Sequence, residues 1–369
     1  MKKSRGTLKL VAVFFGFAIV IKILSSGVFK TNVKNAVCDI AADGELLRYA
    51  VSEETQLLEN DTREKLLAKL VSETTLVPAK TSKHFSEPVR EELVVWEYTP
   101  GGAKKEKVYP VENITISPKS TNGYVTYENI WVKNDSTKGI DLEWLLSAKL
   151  PFKLSGDGPH VLIVHTHASE CYFPQGKETY TLTDVERTSD KKYNMIRIGD
   201  ELEKTLRENG IAVIHDRNIY DSPSYNGSYT RTLDAIGKTL KQNPSIKVVI
   251  DLHRDAMTTE DGVKYRTVTE IDGKRLAQMM IVMSTGESGL PHPDWAENLK
   301  LAVKLQNALA GKYKDLMRPI NLRKERFNMH ATYGSMLIEV GTSANSLDEA
   351  IGSVQLLGKE LAPILKTAK

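Results

Sequence analysis

The chain has 369 residues, 41% apolar and 26% charged, with a formal charge of +3. That length holds one large domain with accessories or two ordinary ones, and so small a charge, without a basic stripe bearing aromatics, gives no basis for nucleic-acid binding. Two cysteines, Cys38 and Cys171, exclude both a disulfide scaffold and a cysteine-based zinc ribbon.

The first thirty residues read as a membrane anchor. Lys2, Lys3, Arg5 and Lys9 precede an apolar run from Leu10 to Phe29, long enough to cross about 30 Å of hydrocarbon as a helix. The positive flank keeps the start cytoplasmic and sends the rest outward. Lys22 lies past the midpoint, where a long side chain snorkels to the interface. With no small-residue cleavage site after the run, an uncleaved single-pass anchor is favoured over a signal peptide. Residues 31–87 are polar, with one helical piece around Leu57–Val71, and read as a stalk. Residues 88–158 are β-rich: "ELVVWEY" and "GYVTYENIWVKN" alternate as strands between turn signals, either as a small lead-in module or as an edge addition to the main domain.

From residue 159 to 369 strands alternate with helices. "HVLIVH" is a strand; "NMIRIGDELEKTLRENG" is an amphipathic helix capped by Asn194 and ended by Gly210. "IAVIHD" is a strand, "SYTRTLDAIGKTLKQNP" a helix stopped by Pro244, and "IKVVIDLH" a strand apolar on both faces. A hairpin, "VKYRTVTE-IDGK-RLAQMMIVMS", comes next. The long helix "DWAENLKLAVKLQNALAGKY", the strand "SMLIEVG" and a helix from about Ser346 complete the chain. The pattern predicts an α/β fold, a mainly parallel sheet flanked by helices, in which ligands bind beyond the carboxyl ends of the strands.

Those ends carry the chemistry. "VLIV" runs into His165, His167 and Glu170; "IKVVID" into His253, Arg254 and Asp255; "SMLI" into Glu339. A catalytic zinc takes three nitrogen or oxygen ligands and leaves a position for water. His167 and Glu170, three apart at a strand-to-loop turn, and His253 from another strand supply such a set, for one zinc per chain. Glu339 is the carboxylate left over for proton transfer. Arg254 is a candidate to hold substrate or oxyanion, and Asp251 or Asp255 to orient a ligand histidine. His165 is either a ligand or a hydrogen-bonding residue behind one. His330, on the loop before the last strand, and His215, at the end of "IAVIHD", are candidate substrate contacts, with structural polar edging the plain alternative for His215. Cys171 has no dedicated base and reads as a buried neighbour of the site.

These segments resemble the stage II sporulation protein P family. "HTHASECY", "YNMIRIGDELEKTLRENGIAVIHDR", "YNGSYTRT", "VVIDLHRDAM" and "MLIEVGTSANSLDEA" carry the resemblance in order over about residues 159–365. It implies a zinc-dependent N-acetylmuramoyl-L-alanine amidase acting on peptidoglycan, with a fold like that of the zinc carboxypeptidases. His167, Glu170 and His253 match the metal ligands there, and Glu339 the base. It also implies cleavage of peptide cross-links, a place in forespore engulfment between the two membranes, and partners in a lytic transglycosylase and a membrane scaffold protein. The wider amidase group differs in having Gly-His-Gly-Gly and a more distant glutamate ligand, so His165 and His167 remain alternatives as the metal ligand. Two other readings share the residues: a zinc carboxypeptidase or endopeptidase acting on wall peptides alone, and a wall-binding module without catalysis. The intact set of ligands and base argues against the last.

Overall fold

A computed structural model describes residues 107–368, all within the second of the two units, 1–87 and 88–369, into which the chain divides. The expected anchor at 10–29, the stalk with its helix, and the strand "ELVVWEY" lie outside the described residues. Among the described residues, no helix is long and apolar enough to cross a membrane.

Among the described residues, twelve strands form two sheets. The larger runs in the order β2 (Val125–Tyr127), β3 (Ile130–Asn134), β11 (Ile320–Arg323), β10 (Met279–Ser284), β12 (Met336–Thr342), β7 (Val248–Asp255), β4 (Val161–Val164), β6 (Val213–His215). The sheet is mixed: β2 with β3 and β10 with β12 are antiparallel, the other neighbours parallel. The smaller sheet, also mixed, is β5 (Thr179–Tyr180), β1 (Tyr109–Ile114), β8 (Lys264–Ile271), β9 (Lys274–Ala277). Of the segment 88–158, the described part therefore adds a hairpin to one edge of the large sheet and a strand to the small one.

Alternation along the strands assigns the two faces. Val161 and Ile163 of β4, with Val248, Ile250 and Leu252 of β7, enter the main core. That core lies beneath α2 (Met195–Glu208), α4 (Trp295–Lys312) and α5 (Leu347–Lys366), with the short α1 (Leu142–Ser147) against α4. Leu162, Val164 and Val249 point the other way, onto Ile236 and Leu240 of α3 (Ser228–Gln242). Helix ends follow the cap chemistry: Asn194 accepts from the Ile196 amide at 3.0 Å, and Ser346 with Glu349 forms a reciprocal capping box.

The expected hairpin is real only in its first half. Asp272 and Gly273, both at positive φ, turn β8 into β9. Gln278 then divides the run that reads as one strand, sending β9 to the small sheet and β10 to the large. Its buried amide is taken up by Ile116 and Asp315, its oxygen accepting from the Ile116 amide at 2.7 Å.

Candidate metal centre

Asp251 and His253 stand two apart on β7, on the face opposite Ile250 and Leu252, so both look toward the α3 side. The parallel register between β12 and β7 pairs Glu339 with His253, placing that carboxylate beside the imidazole on the same face. From β4 the chain turns sharply, the Glu170 amide donating to the His167 carbonyl at 3.1 Å. One donor atom from each of His167, Glu170 and His253 then lies within 4.8 Å of the other two, all three residues buried.

The spacing fits a shared ion better than direct bonds. Nδ1 of His167 stands 3.6 Å from one Glu170 oxygen, and Nδ1 of His253 stands 3.7 Å from the other. Both exceed hydrogen-bond range, whereas two atoms held by one zinc at about 2.0–2.1 Å in a tetrahedron stand about 3.3–3.4 Å apart. Behind the cluster, Asp251 approaches His253 Nε2 at 2.9 Å, the carboxylate–histidine arrangement that orients metal ligands. Asp251 is itself fixed by the Thr166 amide at 2.8 Å and hydroxyl at 2.6 Å, so one carboxylate ties the end of β4 to the ligand on β7.

The charges are those of a site built around a cation. Burial works against a charged His253, but Asp251, Glu170 and Glu339 outweigh it and hold its pKa up, to about 10. Burial drives His167 far down, with His253, Arg187 and Arg254 adding to the effect. Burial also pushes Glu339 up, His253 opposing and Asp255 and Glu170 adding to it, and one of its oxygens is buried without a hydrogen-bond partner.

The other sequence candidates scatter. His165 does not join the ligand atoms: Nδ1 bonds the Leu252 carbonyl at 3.1 Å and Nε2 meets His215 Nε2 at 2.8 Å. His215 is therefore behind the strands, against α2, rather than in the cleft. Arg254 presents its backbone amide to Glu170 at 3.3 Å, while its guanidinium bonds the carbonyls of Cys171 at 3.3 Å and Glu186 at 2.9 Å. Those bonds fasten β7 to the 171–186 loop and lend no support to the oxyanion role expected for it. Asp255 pairs with Arg318 at 2.7 Å and orients neither ligand histidine. His330 sits on a 3₁₀ turn, Met329–Ala331, with Nδ1 buried and unpartnered. Cys171 is buried, its thiol pushed up to about 11 chiefly by burial, so it stays protonated and inert as a nucleophile.

Comparison with known proteins gives the family of the chain. The family described as Stage II sporulation protein P (SpoIIP) matches residues 50–362. The chain belongs to that family. Stage II sporulation protein P of Bacillus subtilis (strain 168) is 27% identical over 210 residues, 54% of this chain and 49% of the relative, so the alignment spans about half the length of that protein. Among solved structures, the chain is similar to the N-acetylmuramyl-L-alanine amidase Ami1 of Mycobacterium smegmatis at 11% identity, covering 58% of this chain and 100% of that one, with a TM-score of 0.33. The CwlD amidase of Clostridioides difficile, in complex with the GerS lipoprotein, is similar at 11% identity over 57% and 98% of the two chains, with a TM-score of 0.33.

Within the span that matches SpoIIP, four residues at the cluster carry little mark in the sequence. Tyr225 stacks on His167, with centroids 4.3 Å apart and planes at 21°; Tyr229 lies parallel to His253 at 6.5 Å. The i, i+4 tyrosines of "YNGSY" at the start of α3 were the available signal. Arg187 reaches Glu170 at 3.5 Å and Asp221 at 2.9 Å, and Asp221 in turn accepts from the Ser169 hydroxyl at 2.5 Å. Arg187 and Asp221 come from irregular loops, where no periodicity marks them.

Proposed function

We propose that this member of the SpoIIP family is a zinc-dependent peptidoglycan hydrolase that cleaves the amide between N-acetylmuramic acid and L-alanine. One observation carries the reading: two imidazoles and a carboxylate converge at ion-sharing distances, with a half-buried carboxylate, Glu339, one of whose oxygens has no partner, in register beside them. His167, Glu170 and His253 would hold the metal, which when bound would supply a Lewis acid to polarise the amide carbonyl and acidify water. Glu339 takes the proton from the attacking water and returns it to the departing nitrogen. Burial suits it to both tasks by raising its proton affinity toward neutrality. Asp251 keeps His253 in place through Nε2, Arg187 and Asp221 brace the turn that carries Glu170, and Tyr225 covers the His167 ring. An anchor at residues 10–29 would hold this unit outside the membrane at the forespore, where a lytic transglycosylase and a membrane scaffold protein are the expected partners.

Digestion of isolated sacculi by the full chain, with mass spectrometry of the products, tests the bond chosen. Intact stem peptides freed from glycan are expected. Shortened or uncrosslinked stems still attached to glycan would replace the amidase by a peptidase acting on the wall peptides.

A further inference from the structure

A second histidine–carboxylate cluster lies behind the strands. Asp200 and Glu203 project from one side of α2, three residues apart, toward the end of β6. His215 Nδ1 stands 3.2 Å from Asp200 Oδ1 and 3.7 Å from Glu203 Oε2, and the His215 side chain is fully buried. Yet this nitrogen has no hydrogen-bond partner.

The Leu252 carbonyl only accepts, so His165 Nδ1 carries a proton toward it. His165 is entirely enclosed, and the His215 side chain beside it is fully buried. The Nε2 atoms of His165 and His215 then share one proton across 2.8 Å. His215 Nδ1 is left facing two carboxylate oxygens without a hydrogen bond to either. The Arg217 Nη2 reaches those same oxygens, at 2.7 Å and 2.5 Å, on a side chain 45% exposed. It neutralises the carboxylates and leaves Nδ1 unsatisfied.

We propose that Asp200, Glu203 and His215 form a second cation site, one that takes a first-row divalent ion such as zinc and is filled by the Arg217 guanidinium otherwise. The imidazole nitrogen favours such an ion over magnesium or calcium. The chain from His215 through His165 to the Leu252 carbonyl orients the ring, as a metal ligand needs. The ion would tie α2 to β6, and the proposal stands apart from the zinc reading of the first cluster.

The test is zinc counted on the full chain in detergent, stripped with chelator and then dialysed against graded zinc. Two ions per chain are expected. The double variant Asp200→Asn, Glu203→Gln should lose one of them and keep wall hydrolysis, while His253→Ala should lose the other. Arg217→Ala should tighten the second ion about tenfold or more, a gain that misfolding cannot produce. Were the first cluster without zinc, the parent would bind a single ion that disappears in the double variant, so the two readings fail separately. A double variant that binds as many ions as the parent, or an Arg217→Ala variant with unchanged affinity, overturns the proposal.

Discussion

Two clusters of histidine and carboxylate flank the same strand end, and the protein treats them differently. At His167, Glu170 and His253, the arginine that approaches, Arg187, touches one Glu170 oxygen at 3.5 Å and commits its shorter bond to Asp221. At Asp200, Glu203 and His215, Arg217 sits on both carboxylates. The first cluster is walled by Tyr225 and Tyr229 and buried; the second opens to solvent through Asp200 and Arg217. A site whose carboxylate meets an arginine only at 3.5 Å is easier for a metal to enter than one whose two carboxylates are both held by a guanidinium at 2.7 Å or less. Geometry of ligands alone does not make that distinction; the neighbours do.

The sharpest way to break the comparison is Glu339→Gln. Removal of a positioned base lowers turnover about 10²–10⁴-fold, and zinc content should stay at the parent level, since Glu339 is outside the ligand set. Equal turnover would remove the residue from the mechanism. Asp251→Asn comes next: loss of the carboxylate behind His253 should weaken zinc binding about 10–100-fold, read by competition with a chelator. The same change should leave the second cluster untouched.

Gly199→Ala probes the other side. A Cβ there would stand 2.6 Å from His165 Nε2 and closer still to His215 Nε2, both on buried rings. Overpacking of that kind costs about 1–3 kcal/mol, against about 1 kcal/mol that alanine gains over glycine in a helix. Denaturant unfolding should therefore show a net loss of up to about 2 kcal/mol; a stabilised variant would mean the histidine pair yields freely.

The first cluster also predicts a pH slope. Without metal, His253 is held up at about 10, above its ordinary value, so it is protonated at neutral pH and zinc must displace that proton. Affinity should rise about tenfold per unit as pH climbs from neutrality toward that value, and calorimetry in buffers of different ionisation enthalpy should register at least one proton released per zinc. Release of none would contradict a charged His253. The smallest effect belongs to Tyr225→Ala: an aromatic contact of about 0.5–1.5 kcal/mol corresponds to a loss of roughly 2–13-fold in zinc affinity.

Much of this was legible in the sequence because strand ends are. Apolar runs marked β4, β7 and β12, and the rule that ligands bind past their carboxyl ends brought His167, Glu170, His253 and Glu339 under one description. What sequence periodicity does not encode is register: the pairing of Glu339 with His253 depends on how β12 aligns on β7. Nor does it encode face, which is why His165, two residues from a ligand, stands between two roles until its bonds to Leu252 and His215 are seen. The four residues Ile320–Arg323 of β11 are too few for an alternating signature, and Gln278 hides a change of sheet inside one apolar run. Arg187 and Asp221 reach the cluster through loops whose path only the folded chain defines.

The central claim is that His167, Glu170 and His253 hold zinc. Anomalous diffraction at the zinc edge, on crystals of zinc-loaded protein, tests it without reference to activity. A peak is expected within bonding distance of both imidazoles and the Glu170 carboxylate. A map with no peak there, from crystals whose zinc is bound elsewhere, would contradict it.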